Sequence, residues 1–298
     1  MRTLISGCTG LVGSALIESL HSAGHDIRCL KRNKDASLST FWDTRDLFSE
    51  DDDSQPFNHV IHLAGENVAN GRWSTTRKKA ILESRVEGTR QLVQYLATLK
   101  TPPETLLCAS AVGFYGSRGD ELLNEHSGLG GGFLADVCKQ WEKEAKKAKE
   151  FGTRVVHLRF GMVLSPKGGA LHKMLPPFKA GLGGPIGKGT GYMSWISIRD
   201  ITKIVEFLIN TPSVNGPVNV VSPTPVTNRE FTENLAKVLH RPARLPAPPF
   251  MLRLLFGEMA DEMLLSSTRA KPEKLLASGY EFKDTNLEDV LKYCTENR

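Results

Sequence analysis

The sequence lacks any long apolar run, any closely spaced cysteine pair and any block of charge of one sign. A membrane span needs about 20 consecutive apolar residues. The glycine-rich beginning of the chain does not resemble the apolar core of a secretory signal. We therefore expect a cytoplasmic protein without a membrane partner. The five cysteines are widely separated and form no Cys-x-x-Cys, which predicts neither a metal site nor a disulfide framework.

The charge distribution argues against a nucleic-acid partner. The formal net charge is +5, but the basic residues are spread along the chain, and the densest run, 143–149, alternates with glutamates. Such interleaving is typical of a solvated helix face. With 298 residues, 40% of them hydrophobic, the chain is long enough for one large α/β domain or for a domain with a smaller companion.

Short apolar segments alternate with amphipathic ones over the first half of the chain. Strands are predicted at 3–6, 26–30, 59–65, 105–110 and 154–159, and helices at 11–23, 75–99 and 134–150. The strands are apolar without alternation, as expected for parallel strands that are buried on both faces. We therefore predict an α/β fold with a Rossmann-type doubly wound parallel sheet. The acidic segment 46–56 is predicted to be a surface loop.

The character of the sequence changes near residue 165. Residues 167–191 are rich in glycine and proline, and a helix ending near residue 210 follows, for which Asp200 is the predicted N-cap. A strand at 218–221 and helices near 229–239 and 250–265 complete the chain. We predict a Rossmann domain over 1–165, to which 192–221 returns, and a small C-terminal substrate domain formed by 166–191 and 222–298.

A glycine-rich turn separates the first predicted strand from the first predicted helix. Gly7 permits a tight turn, Gly10 allows a pyrophosphate to approach the backbone, and Gly13 lets the helix pack closely on the strand. The amides at the positive end of the helix are placed to bind phosphate. The alternative is a plain strand–turn–helix corner. The residues predicted to contact a dinucleotide here are Gly7, Thr9, Gly10, Leu11, Val12 and Gly13.

The end of the second predicted strand favours NADPH over NADH. An NAD-binding site usually carries a carboxylate at this position, whereas this chain has Lys31 and Arg32. A guanidinium can bind a 2′-phosphate through two hydrogen bonds and stack on adenine. The alternative interpretation is two solvent-facing cations at a strand end. The cofactor predicted by this pattern is NADP(H).

Further candidates lie where other strands reach the same edge of the sheet. Arg85 is placed to reach the phosphate or ribose, although a structural salt bridge explains it nearly as well. Val163 follows the 154–159 strand and is placed beside the nicotinamide, with ordinary core packing as the alternative. Additional residues predicted to contact the cofactor are Leu63, Ala64, Gly65, Arg85, Ser110 and Val163.

These motifs resemble the short-chain dehydrogenase/reductase superfamily and, more narrowly, its atypical "epimerase family" subgroup of NAD(P)-dependent sugar-nucleotide epimerases. The resemblance spans nearly the whole chain. It is carried by segments 7–13, 63–67, 110–116, 133–142, 174–187, 195–200, 219–228 and 239–242. It implies a Rossmann domain, a small C-terminal substrate domain and hydride chemistry at a nicotinamide.

The chain departs from the superfamily at the catalytic pair. Active members use a serine with Tyr-x-x-x-Lys, whose lysine lowers the tyrosine pKa. No Tyr-x-x-x-Lys occurs in this sequence, and alignment on Glu142 places Leu134 and Cys138 at the two positions. Ser110 is retained as a catalytic candidate. Tyr115 is the candidate substitute proton donor, with a structural role in the loop as the alternative.

Two functions follow from this pattern. The first is an NADPH-dependent oxidoreductase or epimerase acting on a small polar molecule, such as a sugar nucleotide, with the nicotinamide carrying the hydride. The second is a non-catalytic NADPH-binding module that senses redox state or a metabolite. Lysines in 167–191 fit either a phosphate-bearing substrate or simple solvent exposure. Analogy with the superfamily predicts a homodimer.

Overall fold

A computed structural model describes residues 1–33, 42–43 and 56–296. The predicted surface loop at 46–56 lies outside the described residues except for Pro56. None of the helices in these three ranges combines the length and the apolar character needed to cross a bilayer. No group of His, Cys, Asp or Glu side chains within the same ranges is arranged as a set of metal ligands.

Most of the strands form one large sheet. The strands are β1 Arg2–Ser6, β2 Asp26–Arg32, β3 Trp42–Asp43, β4 His59–His62, β5 Thr105–Ala111, β6 Leu122–Leu123, β7 Arg154–Phe160, β8 Met162–Leu164, β9 Tyr192–Met193, β10 Trp195–Ser197, β11 Gly216–Val220, β12 Val226–Thr227 and β13 Arg269–Ala270. Seven of them pair in the order β11-β7-β5-β4-β1-β2-β3. All neighbouring pairs are parallel except β2 with β3. This sheet confirms the predicted Rossmann-type α/β fold.

Helices cover both faces of the sheet. They are α1 Leu11–Ser22, α2 Thr75–Thr98, α3 Phe133–Lys146, α4 Ala170–Lys179, α5 Ile198–Asn210, α6 Asn228–Leu239, α7 Pro249–Phe256, α8 Glu273–Ala277 and α9 Leu287–Glu296. Helices α1 and α5 pack together on one face, and α2 and α3 pack together on the other. Each pair encloses a separate apolar core, as a doubly wound sheet requires.

The elements beyond the large sheet form a third core. Helices α4, α6 and α9 enclose buried side chains that include Phe178, Phe231 and Leu291, together with Trp195 of β10. Trp195 is fully buried, and its indole donates a hydrogen bond to the Thr224 carbonyl. This tryptophan therefore fills core space. The division of the chain into two domains stays a prediction.

Two local expectations were wrong. The predicted helix at 250–265 is interrupted at Gly257, which has a φ of 60°, so that α7 ends at Phe256. The N-cap of α5 is Ser197, not Asp200. The Asp200 carboxylate instead accepts hydrogen bonds from the backbone amides of Lys283 and Asp284, and its burial raises its pKa.

The cysteine prediction was also wrong. Cys8 and Cys29 form a disulfide between the glycine-rich turn and β2. They are separated by 21 residues in sequence, but β1 and β2 are parallel neighbours, which brings their Cα atoms to 6.1 Å. Cys108, Cys138 and Cys294 are free and buried, as expected of small apolar residues.

Candidate functional site

The predicted cofactor residues lie at one edge of the sheet. Strands β1, β2, β4, β5 and β7 are parallel, so their carboxyl ends meet at the same edge. The chain runs outward in one direction from β1 and in the other from β4, which makes the boundary between these two strands the topological switch point. Doubly wound sheets bind their ligands in the crevice at this position.

In the glycine-rich turn, backbone atoms lie so close to one another that there is no room for a side chain at Gly7 or Gly13. A Cβ atom on Gly13 would lie 2.2 Å from the Gly7 carbonyl oxygen, so no larger residue fits where α1 crosses β1. Gly7 has a φ of +79°, and a Cβ there would lie 3.0 Å from the Ala64 nitrogen. The turn therefore packs directly on the segment that follows β4.

Helix α1 begins beside this turn with its first amides free of side-chain caps. Its N-cap is Gly10, and no acidic residue lies in its first turn. The amides of the first helical turn have no partner within the helix and carry the positive end of the helix dipole. Thr9 and Gly10 are exposed and Leu11 and Val12 partly exposed. An anionic group can therefore reach the backbone here without displacing a side chain.

The cationic end of β2 faces a carboxylate that the sequence analysis did not single out. Lys31 and Arg32 are exposed. Arg32 donates from Nη1 to Oε1 of Glu66 over 3.1 Å, and Arg77 donates from Nη1 to Oε2 over 3.2 Å. The hydrogen bond with Arg32 is the largest cause that lowers the Glu66 pKa. Glu66 is therefore ionised between two guanidinium groups at this corner of the site.

Glu66 also joins β4 to α2 through its backbone. Its amide donates to the Ser84 hydroxyl over 3.0 Å, and its carbonyl accepts from Arg85 Nη2 over 3.0 Å. The Arg85 guanidinium lies over Gly65, where a Cβ would approach it to 3.0 Å. Arg85 thus lies at the predicted edge, where its guanidinium donates hydrogen bonds to the carbonyls of Ile81 and Glu66 and to the Ser84 hydroxyl.

Val163 lies close to the start of α1. A Cβ on Gly169 would lie 3.1 Å from a methyl carbon of Leu11 and 3.4 Å from the Val163 carbonyl. Val163 is partly exposed in β8, beside β10. Its side chain also packs on the core between α1 and α5. Both interpretations given by the sequence therefore remain compatible with its position.

Ser110 belongs to a buried polar network below the predicted nicotinamide position. Its hydroxyl donates to Glu142 Oε1 over 2.8 Å. Arg159 holds the same carboxylate through both oxygens, at 2.8 Å and 2.9 Å. The Arg159 side chain is 4% exposed, so this ion pair is shielded from water. The arrangement fixes the orientation of Ser110.

Tyr115 belongs to the same network and is completely buried. Its hydroxyl donates to Asn219 Oδ1 over 2.7 Å and accepts from Arg159 Nη1 over 3.0 Å. Burial raises its pKa, an effect that Arg159 only partly offsets. A hydroxyl with both partners inside the protein and a raised pKa is poorly suited to exchange a proton with a substrate. The geometry favours the structural alternative for this residue.

Helix α3 carries Leu134 and Cys138, which the alignment on Glu142 predicts at the positions that the superfamily gives to tyrosine and lysine. Cys138 is 4% exposed, and burial raises the pKa of its thiol to about 11. The thiol is therefore neutral near pH 7. Glu262 closes the start of the same helix, because its two oxygens accept from the amides of Phe133 and Leu134, each over 3.1 Å.

Sequence reasoning thus missed Glu66, Arg77, Glu262 and the ion pair of Glu142 with Arg159. Glu66 directly follows a predicted strand end, which was a usable signal, because polar residues at that edge commonly face the ligand. The role of Glu262 comes from a contact across 129 residues of sequence and leaves no local pattern.

Comparisons with known proteins identify the family. Residues 3–221 match the NAD dependent epimerase/dehydratase family, and residues 247–294 match a domain of unknown function, DUF1731. The chain is 39% identical over 292 residues to the epimerase family protein Mb2239 of Mycobacterium bovis, covering 98% of this chain and 96% of that one. It is 34% identical over 303 residues to the epimerase family protein YfhF of Bacillus subtilis, covering 100% and 99%.

A solved structure is similar over the full length. The human epimerase family protein SDR39U1, crystallised with NADPH, superimposes with a TM-score of 0.88 at 31% identity, covering 100% of both chains. The chain belongs to the NAD-dependent epimerase/dehydratase family of Rossmann-type proteins, in which it resembles the atypical short-chain dehydrogenases/reductases. The resemblance predicted from the sequence is confirmed.

Proposed function

We propose that this protein binds NADPH and acts as an oxidoreductase or epimerase on a small polar substrate such as a sugar nucleotide. The observation that carries the proposal is the juxtaposition, at one sheet edge, of the crowded turn around Gly7 and Gly13 with the cationic end of β2 at Arg32. The NADPH-bound crystal structure of human SDR39U1 supports the same cofactor.

The residues at this edge fit the parts of NADPH. The first amides of α1 would hold the pyrophosphate, and the narrow segment from Leu63 to Gly65 would run beside the adenosine ribose. Arg32 would meet the 2′-phosphate, with Lys31 adding positive charge and Arg77 close by on the far side of Glu66. Val163 and Ser110 would border the nicotinamide.

When bound, the nicotinamide supplies hydride transfer, and the protein supplies position and electrostatics. Ser110 can orient a substrate carbonyl or hydroxyl, because Glu142 and Arg159 fix its side chain. Leu134 and Cys138 cannot supply the acid–base step of the superfamily. A turnover-competent protein would take its proton from another group or from the substrate itself.

A second candidate function is a non-catalytic NADPH-binding sensor. Two observations favour it: no Tyr-x-x-x-Lys occurs in the sequence, and the Tyr115 hydroxyl is buried between Asn219 and Arg159. Both candidates require the same cofactor site, so binding and turnover have to be measured separately.

The binding test is a titration with NADPH followed by intrinsic fluorescence and by melting temperature. The matched pair of variants is Gly13→Ala and Gly128→Ala. A Cβ on Gly13 would collide with the Gly7 carbonyl, whereas a Cβ on Gly128 meets nothing within 4 Å. We expect saturable binding that Gly13→Ala weakens at least about tenfold and Gly128→Ala leaves unchanged. No response to NADPH would refute both functions.

The turnover test follows the absorbance of NADPH with a panel of carbonyl compounds, and product analysis with a panel of sugar nucleotides, because epimerisation regenerates its cofactor. Turnover with any member supports the enzyme and identifies the substrate class. Tight NADPH binding without turnover across both panels favours the sensor.

A further inference from the structure

The exposed apolar side chains of this protein are concentrated in one short segment. Of the ten large hydrophobic side chains that are exposed in the described part of the chain, five fall between residues 245 and 255. Their exposed fractions run from 47% to 71%. We call this set the apolar patch; its members are Leu245, Phe250, Met251, Leu254 and Leu255. Concentration of this kind marks a binding surface more often than chance exposure does.

Four members of the apolar patch lie on the outward face of α7, and Leu245 lies just before the helix. Phe250 and Leu254, and likewise Met251 and Leu255, are four residues apart and therefore share one side of the helix. The other side packs inward, where Phe256 joins the apolar cluster formed around Trp73, Ile81 and Met259. No residue of α7 is fully buried. The helix is thus anchored on one side and presents hydrophobic groups to solvent on the other.

The segment around the apolar patch carries an excess of positive charge. Between residues 234 and 257 the sequence contains no Asp or Glu but four Lys or Arg residues. Lys237 pairs with Glu288 and Arg253 with Asp261, whereas Arg241 and Arg244 form no ion pair with the described residues. Next to the patch lies a groove of about 720 Å³. We call it the basic groove; its charged lining consists of Arg229, Glu233, Lys237, Arg241 and Arg244. Arg244 makes no ion pair or hydrogen bond with the described residues.

The apolar patch and the basic groove are held together by backbone hydrogen bonds. The Ala247 amide donates to the Pro185 carbonyl, and the Gly187 amide donates to the Ala247 carbonyl, each over 2.9 Å. Pro185 lines the basic groove. Ala247 precedes by two residues the first residue of α7, Pro249. The two surfaces are therefore neighbouring parts of one local structure.

We propose that the apolar patch and the basic groove together form a docking site for an anionic lipid bilayer surface. A short helix that buries an apolar face at the headgroup level, flanked by Lys and Arg, binds such membranes through apolar burial and electrostatic attraction. The expectation of no membrane partner was based on the lack of a spanning run. An interfacial helix needs only one apolar face.

The charge pattern favours lipid over a second copy of this chain. A two-fold contact through α7 would bring the same cationic segment of both copies together, because each surface in such a contact faces itself. Arg241 and Arg244 of the two copies, which form no ion pair with the described residues, would then repel one another. An anionic bilayer supplies the opposite charge.

The experiment is flotation of the full chain with vesicles of phosphatidylcholine alone or with 30 mol% phosphatidylserine added (about one lipid in three), at low and high salt. We expect binding to the anionic vesicles that salt reverses. Each cation near the surface contributes about a fivefold factor to partitioning, so Arg244→Glu should weaken it by at least about fivefold. The double variant Phe250→Ser with Leu254→Ser should lose it.

The matched controls make the same kinds of substitution, an apolar residue to serine and a cation to glutamate, on parts of the surface outside the apolar patch and the basic groove. Leu276→Ser removes an exposed leucine of α8, and Lys292→Glu reverses an exposed cation of α9. Both should bind anionic vesicles like the unmodified chain, and melting curves check that every variant is folded. Absence of flotation with anionic vesicles overturns the proposal, as does equal loss in the patch variants and the controls. Loss of self-association in Phe250→Ser with Leu254→Ser, without any vesicle binding by the parent chain, would assign the patch to a second copy instead.

Discussion

Arg32 and Glu66 form an ion pair between the end of β2 and the segment after β4, with 3.1 Å from Nη1 to Oε1. The Arg32 side chain is half exposed, so the pair itself adds little to the stability of the fold. Its position is what matters, because it holds a guanidinium where a 2′-phosphate of the proposed cofactor would lie. A bound phosphate would add a second anionic partner beside the carboxylate of Glu66.

The first prediction concerns cofactor choice. Replacement Arg32→Ala should weaken NADPH binding by about tenfold to a hundredfold, because a charge-assisted hydrogen bond contributes about 1.5–3 kcal/mol. NADH, which lacks the 2′-phosphate, should be affected much less. Titrations with both nucleotides measure the difference. Arg28→Ala, four residues earlier on the same strand, is the control. Equal losses of affinity for NADPH and NADH would show that Arg32 does not bind the 2′-phosphate.

The second prediction separates structure from catalysis at Tyr115. Tyr115→Phe removes the partner of Asn219 and Arg159, which leaves buried polar groups unpaired and should cost about 1–3 kcal/mol of the free energy of unfolding. Urea denaturation measures this loss. NADPH affinity, and turnover on any substrate found, should stay unchanged. Loss of turnover at unchanged stability would instead make Tyr115 the proton donor.

The third prediction is that the free energy of unfolding decreases as the pH is lowered. His62, fully buried at the end of β4, shares hydrogen bonds with Ser6 and Thr89, and burial lowers its pKa to about 3. Below a pH of about 6.5, His62 binds a proton in the unfolded chain but stays neutral in the folded chain. Stability should therefore fall as the pH is lowered from 6.5 towards 3, by up to about 1.4 kcal/mol per pH unit from this group.

The contribution of His62 is measured as a difference in slope. Urea denaturation of the parent chain and of His62→Gln is followed between pH 7 and 4.5, and the variant should show the shallower dependence. Some slope should remain, because burial also lowers the pKa of His157 to about 4. Identical slopes in the two proteins would mean that His62 takes up its proton without unfolding the chain.

The fourth prediction concerns the disulfide. Because the bond between Cys8 and Cys29 restricts the unfolded chain, its reduction should lower the free energy of unfolding by about 2–4 kcal/mol. Melting curves with and without a thiol reductant measure the effect. The double variant Cys8→Ser with Cys29→Ser should melt at the lower temperature under both conditions. A parent chain whose melting is insensitive to reductant would indicate that the two thiols do not cross-link in solution.

The sequence predicted the sheet well because its strands are apolar runs separated by amphipathic helices. It predicted the glycine-rich turn because Gly7 and Gly13 occupy positions that only glycine fills. It failed where the outcome depends on contacts distant in sequence. The pairing of Cys8 with Cys29 follows from strand order, and the partners of Asp200 come from residues 280–284. Neither leaves a periodic pattern.

The candidate site divides in the same way. Arg32 and the loop residues were predictable, because their chemistry depends on their position at a strand end. Glu66 follows a strand end and could have been noticed, but its pairing with both Arg32 and Arg77 depends on how the segment after β4 and α2 bring these side chains together. The break after α7 was missed because 250–265 reads as one amphipathic stretch apart from Gly257.

The carboxylate of Glu262 connects the C-terminal part of the chain to the start of α3 in the Rossmann-type half. Only the residues from Gly257 to Asp261 separate α7 from this glutamate, and its oxygens grip the start of α3 beside Leu134. Because this connection is short, we expect a displacement of α7 to move Glu262 and, with it, the start of α3.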